Sequence, residues 1–93
     1  MKLFDLTKKV IVITGASGLL GRQHAEAIAM SGGFPVLLDL NQATLDIMAQ
    51  ELAQKHNVKC RGYVVDITNE ESVKTNCANV LSFFGRIDRK SVV

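Results

Sequence analysis

Short apolar runs alternate along this chain with longer stretches in which apolar residues recur at every third or fourth position. Val10-Ile11-Val12-Ile13-Thr14 is β-branched throughout and stops at Gly15, the pattern of a strand buried on both faces. Between Leu19 and Ser31, the residues Leu20, Ala25, Ile28 and Ala29 fall on one helical face, and Gly32-Gly33 supplies the stop. Phe34 to Leu40 reads as a second apolar strand, with Pro35 near its start, where a missing N–H costs least. Asn41 is placed to cap the next helix, whose Leu45, Met48, Ala49 and Leu52 follow the i, i+3, i+4, i+7 spacing. Val58 to Val65 is a weaker third strand that contains Gly62 and leads into Asp66. Thr68 and Glu71 then carry the spacing of a capping box, and Val73, Cys77, Val80, Leu81 and Phe84 form an apolar stripe closed by Gly85.

The predicted order is therefore β-α-β-α-β-α. Short connections between alternating strands and helices predict an α/β fold with a parallel sheet and right-handed crossovers. Three strands and three helices are about half of a doubly wound domain. No repeat, linker or low-complexity segment interrupts the pattern.

Composition narrows the picture without deciding it. The 93 residues are 47% hydrophobic and 22% charged, with one Pro and seven Gly, which excludes disordered and collagen-like chains. Arg89 and Lys90 account for the formal charge of +2, so no basic patch calls for nucleic acid or anionic lipid. No apolar run exceeds five residues, far short of the roughly 20 needed to span a membrane. The opening MKLFDLTKKVIVITG lacks the features of a signal peptide, and a cytoplasmic location is the expectation. Cys60 and Cys77 show no metal-ligand spacing and read as small buried hydrophobes. His24 and His56 read as surface or packing residues, and no metal site is expected.

The informative segment is Thr14-Gly15-Ala16-Ser17-Gly18-Leu19-Leu20-Gly21, between the first strand and the first helix. There Gly15 permits the sharp turn, Gly18 lets backbone approach a pyrophosphate, and Gly21 allows helix to pack closely on strand. The helix N-terminus offers N–H groups and partial positive charge to the phosphates. Asp39 ends the second strand eighteen residues beyond Gly21, close to the spacing of about 20 at which an acid meets a ribose. Its carboxylate can accept hydrogen bonds from ribose hydroxyls and would repel a 2′-phosphate. Neither Gly18 nor Leu40 offers a basic side chain to that phosphate, so NAD(H) is preferred over NADP(H). A plainer reading makes Asp39 the start of a turn before the Asn41 cap, and Asp66 a strand-end acid leading into the Thr68 cap.

With TGASGLLG after a Val/Ile strand, Asp39 after the second strand, Asp66-Ile67-Thr68 after the third and FFGRID after the third helix, the sequence resembles the short-chain dehydrogenases/reductases. The resemblance runs from residue 3 to residue 88, including the opening FDLTKKVIVITGAS. It implies a Rossmann fold, a nicotinamide cofactor, and hydride transfer to or from a carbonyl or alcohol substrate. It also implies that Gly15, Ser17, Gly18, Leu20 and Gly21 line the pyrophosphate and ribose, that Asp39 holds the adenosine ribose, and that Asp66 and Ile67 contact adenine. The TGxxGxxG spacing is similar to the extended, sugar-nucleotide-modifying branch, because the commonest branch has Gly where this chain has Leu19. The Asp-Ile-Thr triplet and the compact spacing lean toward the common branch.

The family's Tyr-x-x-x-Lys pair has no counterpart. The only tyrosine, Tyr63, stands four residues before Ile67 and within a strand. Residues 1–88 thus read as the N-terminal part of a dinucleotide-binding domain without catalytic residues. Arg89-Lys90-Ser91-Val92-Val93 reads as an atypical basic tail, the mark of a truncation, a frameshift or a cloning artefact. On that reading the fourth strand is missing, and Val10–Ile13 become an exposed apolar edge open to aggregation, swapping or a self-paired homo-oligomer. Two other readings stay open: a stand-alone adenine-nucleotide-binding or oligomerising module, and a fragment with no function.

Overall fold

Strand β1 (Val10–Thr14) leads through a tight turn into α1 (Leu19–Met30), and β2 (Phe34–Asp39) into α2 (Gln42–His56). Strand β3 (Arg61–Val64), helix α3 (Glu70–Phe84) and strand β4 (Arg89–Val92) complete the order. The structure, a computed structural model, describes residues 6–92. Residues 1–5, where the family-like opening begins, and residue 93 lie outside the described residues. All pairings are parallel, in the order β3-β2-β1-β4.

Alternation along each strand sends successive side chains to opposite faces. Ile11, Ile13 and Leu37 therefore meet α1 and α2, where they bury with Ala25, Ile28, Leu45, Met48 and Leu52. Val10, Val12, Val36 and Leu38 point the other way and bury with Val65 and Val80 beneath α3. A sheet covered on both faces needs strands that are apolar throughout, which is why β1 and β2 show no polar alternation. This is a partial Rossmann-like sheet: the parallel α/β arrangement is the one the periodicity predicts, and its Rossmann type the one the resemblance implies.

The expectation of an open β1 edge is overturned. Arg89, Lys90, Ser91 and Val92 pair with Ile11, Val12, Ile13 and Thr14 as a fourth parallel strand. Arg-Lys-Ser carries no strand signal of its own, but the edge of β1 offers it an unfilled ladder of backbone donors and acceptors, and tertiary context overrides weak β-propensity. The backbone edge of β1 is thus occupied by β4 of the same chain.

Other boundaries shift for local reasons. Helix α3 is capped by Asn69, whose side chain accepts from Ser72 N–H at 3.1 Å, so the Thr68–Glu71 box does not form. Thr68 instead gives its backbone N–H and hydroxyl to Asp66 Oδ1, at 2.9 and 2.6 Å. On the same helix Asn76 is buried while Leu81 is 49% exposed, so the predicted stripe is rotated toward Asn76. Strand β3 is shorter than its apolar run. A Cβ at Gly62 would lie 2.5 Å from Leu45 Cβ, so glycine is what lets α2 rest directly on this strand. Asn41 caps α2 as expected, accepting from Thr44 N–H at 3.1 Å.

Candidate functional site

The turn between β1 and α1 is built by backbone. Gly15 takes φ +65°, a left-handed conformation in which a side chain is strained. Ala16 N–H donates to Leu38 O at 3.1 Å and Gly18 N–H to Gly15 O at 3.2 Å, folding the turn over the end of β2. A Cβ at Gly21 would stand 2.4 Å from Gly15 O and 2.7 Å from Ala16 Cα. Both obstacles are backbone, so only glycine lets α1 sit this close. At Gly18 a Cβ would meet Gly15 O at 3.5 Å, an ordinary contact; the fold itself makes no demand for glycine there.

Gly18 is also the N-cap of α1, with no side-chain cap bond and no acid in the first turn. The first-turn N–H groups thus retain the partial positive charge that attracts anions.

Asp39 stands beside this turn. Its Oδ2 accepts from Ser17 N–H at 2.9 Å and from the Ser17 hydroxyl, and its Oδ1 accepts from Leu40 N–H at 2.8 Å. The Ser17 hydroxyl is the largest influence holding the Asp39 carboxyl below the usual carboxylate range; partial burial opposes it, and the Leu40 and Ser17 N–H groups assist. Arg22 Nε donates to Ser17 O at 3.1 Å and steadies the turn from the α1 side.

Between this turn and the loop after β3 lies a cavity of about 240 Å³, lined by Gly15, Asp39 and Leu40 on one side and by Asp66, Ile67 and Thr68 on the other. Asp66 is pulled below its ordinary range by the Thr68 hydroxyl and then by Thr68 N–H. Ile67 is 58% exposed at the rim. Leu20 is 67% exposed on the first turn of α1, off the core face and outside this cavity's lining. An adjoining apolar cavity of about 230 Å³ lies between α3 and the sheet, sharing Leu38, Val65 and Ile67. A further cavity of about 400 Å³ runs along α3 beside β3, lined by amides, hydroxyls and the Glu71 carboxylate.

The remaining reactive groups are held in packing or surface roles. Tyr63 packs against the α3-side core, and burial raises its phenol above its ordinary value despite the Arg61 charge. Burial pushes the Cys60 thiol up to about 12. His56 Nε2 lies 3.0 Å from Glu26 Oε1, which also accepts from Lys55 at 2.8 Å. No cluster of three or more metal-ligating side chains occurs among the described residues, and no helix among them is long and apolar enough to cross a membrane.

The short chain dehydrogenase family profile matches residues 9–89. The chain belongs to this family. Among curated relatives, an NAD-dependent glycerol dehydrogenase of Listeria innocua is 32% identical over 87 residues, covering 94% of this chain and 33% of the relative. A sorbose reductase of Candida albicans is 34% identical over 88 residues, covering 95% and 31%. The chain spans about a third of the length of the curated relatives it matches. Among solved structures, an NAD⁺-bound xylitol dehydrogenase superposes with a TM-score of 0.86 at 34% identity, covering 94% of this chain and 33% of that one. An L-sorbose reductase from Gluconobacter frateurii, complexed with NADPH and L-sorbose, gives 0.87 at 32% identity, covering 94% and 34%.

Of the eight residues singled out by sequence, Gly15 and Ser17 form the turn, Gly21 packs α1 onto it, and Asp39, Asp66 and Ile67 line the cavity with Gly15. Gly18 opens the helix, and Leu20 faces solvent. Sequence reasoning missed the Ser17–Asp39 bond and Arg22, neither of which has a signal in the pattern; Leu40, considered only for its lack of positive charge, is 71% exposed at the cavity wall.

Proposed function

We propose that this chain forms the adenosine-diphosphate-binding half of a nicotinamide-dinucleotide site in a short-chain oxidoreductase, with NAD(H) preferred over NADP(H). The observation that carries the reading is Asp39, an ionised strand-end carboxylate placed beside a helix N-terminus that no side chain caps. The residues present fit such a group: the glycines of the turn keep it free of bulky side chains, the first-turn N–H groups favour anions, and the cavity behind Asp39 has room for a purine.

When bound, the nicotinamide supplies hydride exchange with a carbonyl or alcohol. The chain's own residues contribute binding. The α1 N-terminus neutralises pyrophosphate charge, Asp39 accepts from the ribose, and Ile67 with Leu40 flanks the base. Asp66 is tied into its own turn by Thr68, so its role is to shape the adenine rim. No activated tyrosine is present, and we assign general acid–base chemistry to residues outside this chain. On this reading the chain binds nucleotide and does not turn over substrate alone. A cytoplasmic location accompanies the reading.

A second reading has one observation in its favour. Because β4 closes the edge of β1, the half-domain has a paired sheet of its own, which suits a stand-alone nucleotide-binding module. Titration calorimetry with NAD⁺ and 5′-ADP tests what the two readings share, and both predict saturable binding that Asp39→Ala weakens. NADH oxidation by the 93-residue chain above that of a Gly15→Asp variant would contradict the assignment of catalysis elsewhere.

A further inference from the structure

A carboxylate offers about four acceptor positions, and the three hydrogen bonds on Asp39 are unevenly shared. Ser17 supplies two of them, through its N–H and its hydroxyl, both to Oδ2. Leu40 N–H supplies the third, to Oδ1. Oδ2 is therefore saturated by the glycine turn, and one acceptor position remains, on Oδ1. Asp39 and Leu40 also line the cavity between the turn and the loop after β3, so this position belongs to a residue of the cavity wall.

From this arrangement we infer that Ser17 is a specificity-determining positioning residue: it saturates one oxygen of Asp39 and leaves the other a single place that only a hydrogen-bond donor can fill. The inference rests on the dinucleotide reading above and adds to it the source of the discrimination. A ribose 2′-hydroxyl has a proton to give and fills the place. A 2′-phosphate brings acceptor oxygens and negative charge to a carboxylate that stays ionised. Without the Ser17 hydroxyl, the carboxylate loses a bond that fixes its orientation and favours its charged form. It is then free to turn, and the single donor-only place is no longer held toward the ribose. Ser17 N–H still donates after truncation of the side chain, so the turn keeps one of its two ties to Asp39.

The test uses the whole 93-residue chain with 5′-ADP as the binding probe, NAD⁺ against NADP⁺ (which differ only in the 2′-phosphate) as the measure of preference, all read by calorimetry, and the Asp39 carboxyl titration read by NMR. The unaltered chain is expected to prefer NAD⁺ over NADP⁺ by about tenfold or more, with Asp39 titrating below an ordinary aspartate. Ser17→Ala is expected to weaken 5′-ADP about three- to tenfold, narrow the preference and raise the Asp39 midpoint. Ser17→Thr, which keeps the hydroxyl, should restore all three. Circular dichroism checks that each variant is folded, and the Asp39 midpoint of the unaltered chain stands as a test with no variant at all. An ordinary Asp39 midpoint there, or a Ser17→Ala chain with unchanged or tighter 5′-ADP binding and unchanged preference, overturns the inference while the dinucleotide reading stands. Absence of saturable 5′-ADP binding by the unaltered chain overturns that reading and the inference with it.

Discussion

Asp88 and Val10 are joined in both directions: Val10 N–H donates to Asp88 Oδ2 at 2.7 Å, and Asp88 N–H donates to Val10 O at 2.8 Å. The pair sits where the chain enters β4, so it sets the register in which Arg89 meets Ile11. Arg86 holds the other carboxylate oxygen, donating from Nε at 3.0 Å and also from its terminal nitrogen. A sequence with little strand propensity of its own is thereby delivered to the open edge of β1.

Asp88→Ala should accordingly release β4 before anything else. The expected outcome is faster hydrogen exchange at Val10, and at the amides that pair β1 with β4, with the β1–β2 amides little changed. Val10 N–H is the first cause holding the Asp88 carboxyl below its ordinary value, with Arg86 assisting and burial opposing. The folded pKa is thus lower than the unfolded value of about 3.9. The stabilising contribution is present above about pH 4 and is lost as pH falls through the folded value. Protection at Val10 should fall in acid in the unaltered chain and show no such step in Asp88→Ala.

Two glycines of the same turn should behave differently. Gly21→Ala drives a Cβ into the Gly15 and Ala16 backbone and should destabilise the fold by about 1–3 kcal/mol, measured by urea unfolding. Gly18→Ala meets one atom at 3.5 Å, and its φ of −74° suits any residue. It should cost under about 1 kcal/mol of stability, the scale of a lost N-cap preference. A larger effect of Gly18→Ala on 5′-ADP affinity than on stability would mark the position as one required by ligand rather than by fold.

The start of α3 separates two residues that the sequence pattern confuses. Asn69→Ala should lower stability by about 1 kcal/mol, because Asn69 accepts from Ser72 N–H. Glu71→Ala should change little, since the capping box does not form. Equal losses for Asn69→Ala and Glu71→Ala would contradict the observed cap.

Cys60 packs against the α1–α2 core, and burial alone pushes its thiol up to about 12. A thiol in that state supplies almost no thiolate near neutral pH. Alkylation by iodoacetamide at pH 8, followed by peptide mass spectrometry, should modify Cys60 only in denaturant. Rapid labelling of Cys60 in the folded chain would contradict the packing.

What could be read from the sequence follows a physical division. Val10 to Ile13 and Pro35 to Leu38 were legible because the stretches of strand buried on both faces are apolar at every position. Leu45, Met48, Ala49 and Leu52 were legible because a helix over a sheet buries one stripe. The glycine turn was legible because its backbone conformation and close packing exclude other residues. Strand β4 was not, since Arg89 and Lys90 become strand through a vacant edge that local pattern does not encode. The turn of α3 that buries Asn76 is likewise set by tertiary packing. The Ser17–Asp39 bond joins residues 22 apart through the crossover of a βαβ unit, a proximity that no spacing rule supplies. Identity to proteins about three times as long fixes the family and leaves the choice between NAD(H) and NADP(H) to be measured.

The most direct test of the central claim is calorimetric titration of 5′-ADP into the unaltered chain, alongside Asp39→Ala. The account predicts saturable one-to-one binding, with a dissociation constant below about 1 mM, equivalent to about 4 kcal/mol, and a loss of at least about tenfold in the variant. No saturable heat, or equal binding by the two chains, would contradict it.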